Sequence, residues 1–151
     1  MYVRRFDGGT NTLYIYFYGE LVAEEMDKAI FEWVLTASHV DALRVQRIFA
    51  DLRHIVTADL RNTDVARVSF FFRKLSKKLL LSVDELESLV SKMQIVRLID
   101  GDSHAGKLFR ERLGRMSSRM VSYTVYDNVE AAVQKLGLQV PEVEKIMDSL
   151  A

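Results

Sequence analysis

The chain has 151 residues, 49% of them hydrophobic and 28% charged, with 21 Lys and Arg against 21 Asp and Glu. This length and mixture suit one globular domain with a sizeable core. Zero formal charge argues against a general nucleic-acid binder, which needs many Lys and Arg at phosphates, and the lack of cysteine removes disulfides, Cys-ligated zinc and thiol catalysis.

Arg4 and Arg5 are not followed by an apolar h-region, and no uncharged stretch approaches the ~20 residues of a membrane span. A cytoplasmic protein is therefore expected. Tyr2 to Phe6 reads as a short edge strand, and 7–11 (Asp-Gly-Gly-Thr-Asn) as a turn. Leu13, Ile15 and Phe17 then alternate with Tyr14, Tyr16 and Tyr18, which predicts the second arm of an antiparallel hairpin, ended by Gly19. Val22, Met26, Ala29, Ile30, Trp33 and Ala37 recur at helical spacing, with Glu24 and Glu25 in the first turn, where acids suit the helix dipole.

Leu43 to Leu52 carries the central strand, and Arg53 to Asn62 is expected to be an irregular connector. Asn62 or Thr63 can cap a second long helix, whose apolar stripe is Val65, Val68, Phe72, Leu75 and Leu79. Ser82-Val83-Asp84-Glu85 has the capping-box pattern of a helix that restarts. Met93 to Ile99 is the next strand, followed by the turn Gly101-Asp102-Ser103. That turn enters a helix with Ala105, Leu108, Phe109, Leu113, Met116 and Met120 on its stripe. Val121 to Tyr126 is the last strand, and a short helix from Val129 stops at Gly137. Pro141 opens a tail with Val143, Ile146, Met147 and Leu150 on one side. The expected division is thus a domain over 1–139 and a helical tail over 140–151. Strands alternating with crossover helices define an α/β architecture.

Element order and three local phrases carry a family likeness. They are Gly19-Glu20-Leu21-Val22-Ala23-Glu24-Glu25 into the first helix, Ile48-Phe49-Ala50-Asp51-Leu52 in the central strand, and Val125-Tyr126-Asp127-Asn128-Val129-Glu130-Ala131-Ala132 into the last helix. Over about Tyr2 to Leu138 the chain resembles the STAS group, the anti-sigma-factor antagonist or SpoIIAA-like domains and their bacterial relatives. The resemblance implies a mixed sheet of four or five strands with helices mainly on one face. It also implies a non-enzymatic module that binds proteins or small ligands. In phosphoswitch members of that group, an Asp-Ser-Ser/Thr-Gly motif follows the central strand. Here 56–63 (Val-Thr-Ala-Asp-Leu-Arg-Asn-Thr) has neither serine nor glycine, so the serine switch is not expected. Thr63 is the one candidate phosphosite, and a helix cap is its plainer role. Lipid carriers of the Sec14 type share the fold group, which brings an apolar pocket into consideration.

No catalytic set, metal cluster or cofactor motif stands out. Ser103 lacks the G-x-S-x-G spacing of a nucleophile elbow. His39, His54 and His104 lack metal-ligand spacing. Ligands of open α/β sheets gather at the carboxyl ends of parallel strands. Asp51, Arg53, His54, Asp102, Ser103 and His104 are therefore expected to line one rim for a ligand or anion.

Two partner surfaces are also expected. Tyr14, Tyr16 and Tyr18 face away from the helices of a one-sided sheet, and a second copy of the chain is the favoured partner there. Residues 61–78 hold six Lys or Arg against one Asp, with three consecutive phenylalanines, Phe70 to Phe72. Phe70, Arg73, Lys74 and Lys77 could meet an acidic protein or an anionic membrane or lipid surface. The expected function is a regulatory or protein-binding module. An apolar-ligand carrier or peripheral membrane module is the alternative, and a hydrolase at Ser103 or His54 comes third.

Overall fold

The computed structural model describes residues 1–37, 39–60, 65–116 and 124–151. Among them are strands β1 (Tyr2–Asp7), β2 (Thr12–Val22), β3 (Arg47–Asp59), β4 (Gln94–Leu98) and β5 (Val125–Tyr126). Helices α1 (Ala23–Thr36) and α2 (His39–Arg44) link β2 to β3, and α3 (Val65–Leu79) and α4 (Val83–Ser91) link β3 to β4. Helix α5 (His104–Met116) precedes β5, and α6 (Val129–Lys135) and α7 (Val140–Leu150) follow it. The sheet order is β1-β2-β3-β4-β5, with β1 antiparallel to β2 and the other pairs parallel. The expected α/β architecture, with an N-terminal hairpin and helical crossovers, is the one the chain adopts.

Alternation along β2 divides the core. Leu13, Ile15 and Phe17 point to the front face, where Ile48, Ala50 and Leu52 of β3 meet Met26 and Ala29 of α1 and Phe109 and Leu113 of α5. Tyr14 points to the back, with Phe49, Val96 and Leu98, under Ala132 and Val133 of α6 and Val143 and Met147 of α7. A third cluster lies at the side, where Leu75 and Leu79 of α3 and Leu86 of α4 pack against Val34 and Ala42.

Helices therefore cover both faces, which corrects the expectation that they lie mainly on one. The back face is as apolar as the front at Phe49, Val96 and Leu98, and a parallel sheet of that kind needs cover on both sides. The tail supplies it. Pro141 sits in the first turn of α7, where its missing N–H costs nothing, and α7 lies on the sheet.

Three boundaries also differ from expectation. Gly19 does not end its strand. It takes φ 73° at a register shift, and β2 runs on to Val22. A glycine inside a strand pattern can mark such a bulge as well as an end. The extension gives β3 a partner beyond Leu52, with Gly19 opposite Ile55 and Val22 opposite Asp59. Arg53 to Asp59 is accordingly strand, not irregular connector. Leu43 and Arg44 belong to α2, so β3 starts at Arg47. The capping box forms as expected, with Ser82 Oγ accepting the Glu85 N–H at 3.1 Å.

Candidate functional site

Asp51, within β3 and paired with Leu98 at the end of β4, is 1% exposed, and its carboxylate is held by Arg53. Arg53 donates from Nε to Oδ1 at 3.0 Å, from Nη2 to Oδ2 at 2.8 Å, and from its backbone N–H to Oδ1 at 3.0 Å. The carboxylate holds the Arg53 guanidinium above its ordinary range, against the opposing effect of burial. A bulge falls here, since Tyr16 pairs with Asp51 but Tyr18 pairs with His54. The His54 ring consequently lies against Tyr16, centroids 5.1 Å apart, and Tyr16 stacks on Tyr18 at 5.8 Å. Asp51 gives its oxygens to Arg53 rather than to His54, so the two do not form an acid–base pair.

The remaining expected rim residues lie in the turn before α5. Ser103 Oγ accepts the Gly106 N–H at 2.8 Å and donates to the Asp100 carbonyl at 3.0 Å. That is helix-cap geometry. Gly106 is required there, because a Cβ would fall 1.6 Å from the Asp100 oxygen. Asp102 donates its backbone N–H to Asp100 Oδ1 at 3.0 Å, and the Asp102 and His104 side chains are exposed. Helix α5 packs on the front face, whereas Asp51 shares the back-facing register of Tyr16. The six rim residues therefore form two groups and not one site. Nearby, Arg110 bonds Asp127 at 2.8 Å and holds its carboxyl below the usual range. Among the described residues no three His, Asp or Glu side chains gather as a metal site requires.

The tyrosine surface is also divided. Tyr14 is 1% exposed beneath α6 and α7, so it is core and not partner surface. Tyr16 and Tyr18 stay partly exposed beside His54, and Val56, two residues further along β3, is 73% exposed. Tyr16, Tyr18 and His54 make an aromatic patch on β2 and β3, and exposed Val56 follows His54 along the same strand. Val56 is not among the expected surface residues, because Arg53 to Asn62 reads as an irregular connector. Its buried Ile55 between exposed neighbours is a strand alternation, and that signal could have found it.

On α3, the exposed residues Phe70, Arg73, Lys74 and Lys77 share one side, and the Lys74 ammonium lies 4.4 Å from the centre of the Phe70 ring. Lys78 is not part of that surface. Its ammonium donates to the carbonyls of Val34 at 2.8 Å, Ala37 at 2.6 Å and Leu35, closing the end of α1. Arg61, Thr63 and Asp64 lie outside the described residues, as do the side chains of Arg67, Phe71 and Phe72.

Beneath α3, between α1, α4 and the sheet, is a cavity of about 50 Å³ walled by Ile30, Val34, Leu75, Leu86 and Ile95, with Asp27 and Arg97 as its charged members. Arg97 is almost fully buried. Nothing in the spacing of Met93 to Ile99 distinguishes it from a solvated strand residue. Among the described residues no helix is long and apolar enough to cross a membrane. Compared with known proteins, the chain matches no family model and no curated protein.

Proposed function

We propose that this chain is a cytoplasmic, non-enzymatic regulatory module of STAS-like type that acts by binding another protein. The observation that carries the reading is the patch of Tyr16, Tyr18, His54 and Val56 at the end of β2 and β3. Tyrosine rings offer large contact area at low entropic cost, and aromatic residues dominate the energetics of protein interfaces. Here the rings are already stacked, and the neighbouring Arg53 is clamped by Asp51, so little order has to be gained on binding. Pull-down from the native cell should enrich a protein with the wild-type chain and lose it with the double variant Tyr18→Ala, Val56→Asp. Equal capture by wild type and by a variant with unchanged circular dichroism would refute this use of the patch.

The alternative, an apolar-ligand carrier or peripheral membrane module, draws on the cavity beneath α3 and the exposed Phe70 beside Lys74. At about 50 Å³ the cavity has room for a few waters, against roughly 300 Å³ at the lower end of small-molecule pockets. A carrier must therefore open α3 or α4. Native mass spectrometry of the purified chain tests this: a co-purifying lipid supports it, and the bare mass opposes it.

A further inference from the structure

The two arms of the α3–α4 hairpin carry opposite charges. Arg73, Lys74 and Lys77 recur with Phe70 on one side of α3, while Leu75 and Leu79 are buried on the other. On α4, Asp84, Glu85 and Glu87 are exposed around the buried Leu86. One arm thus carries three cations and the arm packed against it three carboxylates, and among the described residues none of the six enters an ion pair. Glu85 does accept the Ser82 hydroxyl, which leaves its charge unneutralised.

The corner between the arms is apolar. Leu80 is 88% exposed and Val83 49%. Leu80 also takes φ 55°, and the Leu81 N–H bonds back to the Ser76 carbonyl at 3.1 Å. That is the helix ending in which glycine normally fills the left-handed position. A bulky side chain held in that left-handed conformation is strained within a single chain. Such outliers concentrate at functional sites.

We propose that this hairpin is a self-association surface, on which a second copy of the chain docks across a two-fold axis at the α3–α4 corner. A two-fold axis sets residue i against j and j against i. A surface with equal and opposite charges on neighbouring arms is therefore complementary to itself. The α3 cations of each copy face the α4 carboxylates of the other, and Leu80 and Val83 form the apolar centre. Zero net charge leaves no general repulsion between copies. An anionic bilayer fits less well, because Asp84, Glu85 and Glu87 would oppose it on the adjoining helix. The inference is independent of the patch on β2 and β3.

Sedimentation equilibrium of the full chain tests it. The wild type should dimerise, and raising salt from ~50 mM to ~500 mM should weaken the dimer about tenfold. The cation-reversed variant (R73E, K74E, K77E) and the acid-reversed variant (D84K, E85K, E87K) should each stay monomeric, yet an equimolar mixture should form a heterodimer. L80G should weaken association several-fold while remaining folded. A wild type that is monomeric throughout overturns the proposal, and if that monomer binds phosphatidylserine vesicles the face belongs to a membrane instead. A dimer indifferent to both reversals, or folded reversed variants that fail to pair with each other, overturns it equally.

Discussion

Leu80 stands where a helix commonly closes on glycine, at φ 55° and almost wholly in water. Relief of the left-handed strain is worth ~1 kcal/mol, and the looser unfolded chain of a glycine variant returns part of it. Urea unfolding of Leu80→Gly, at a concentration where the chain is monomeric, should thus show a net gain of roughly 0.5 kcal/mol. A loss would mean that Leu80 stabilises the monomer. Tyr14 is the other residue with a definite consequence. Burial raises its phenol above the ordinary value of 10.0, with the Thr10 hydroxyl acting in the opposite sense. The folded chain then holds this proton more tightly than the unfolded chain does. Its contribution is complete below the unfolded value and is lost as pH rises through the higher folded value. Stability of Tyr14→Phe should therefore decline less steeply than wild type above about pH 10, measured by urea unfolding across that range. Equal slopes would contradict the assignment.

Helix α1 has no basic residue in its last turn, and Lys78 of α3 serves that end instead, with its ammonium on the carbonyls of Val34, Leu35 and Ala37. Lys78→Met should lower stability by about 1–2 kcal/mol in thermal unfolding, because orphan carbonyls and a favourable charge are both affected. A neutral result would show that water replaces the lysine. Helix α7 is held by Val143 and Met147 against Tyr14 and Phe49. Met147→Ala should cost about 2–4 kcal/mol, since a buried side chain leaves a cavity behind. A cost below about 1 kcal/mol would show α7 to be loosely seated. At this scale much was legible in the chain. The alternation of Leu13 to Tyr18, the Ser82–Glu85 box and the α5 stripe from Ala105 to Leu113 became the expected elements, while the Met116 and Met120 side chains lie outside the described residues. The β3 extension was not, because Gly19 and Arg53 punctuate like strand ends, and only the pairing of β2 with β3 decides otherwise.

Across the whole molecule, the division of the tyrosines shows where reading by residue stops. Alternation places Tyr14, Tyr16 and Tyr18 on one side of β2, but it cannot say that the back-face helices bury the first, touch the second at its edge and leave Tyr16 and Tyr18 partly exposed. The rim residues fail for a similar reason. Asp51 reads as a strand end but lies within β3, level with the end of β4, and α5 carries Ser103 to the front while Asp51 lies behind. With both faces of the sheet covered, Tyr16, Tyr18, His54 and Val56 are among the described residues that remain outward on β2 and β3. Hydrogen–deuterium exchange on the chain alone and with its captured protein partner tests the central claim most directly. Slowed exchange over 16–22 and 53–59 is the predicted footprint, whereas protection confined to the turn at 99–104 would contradict the account.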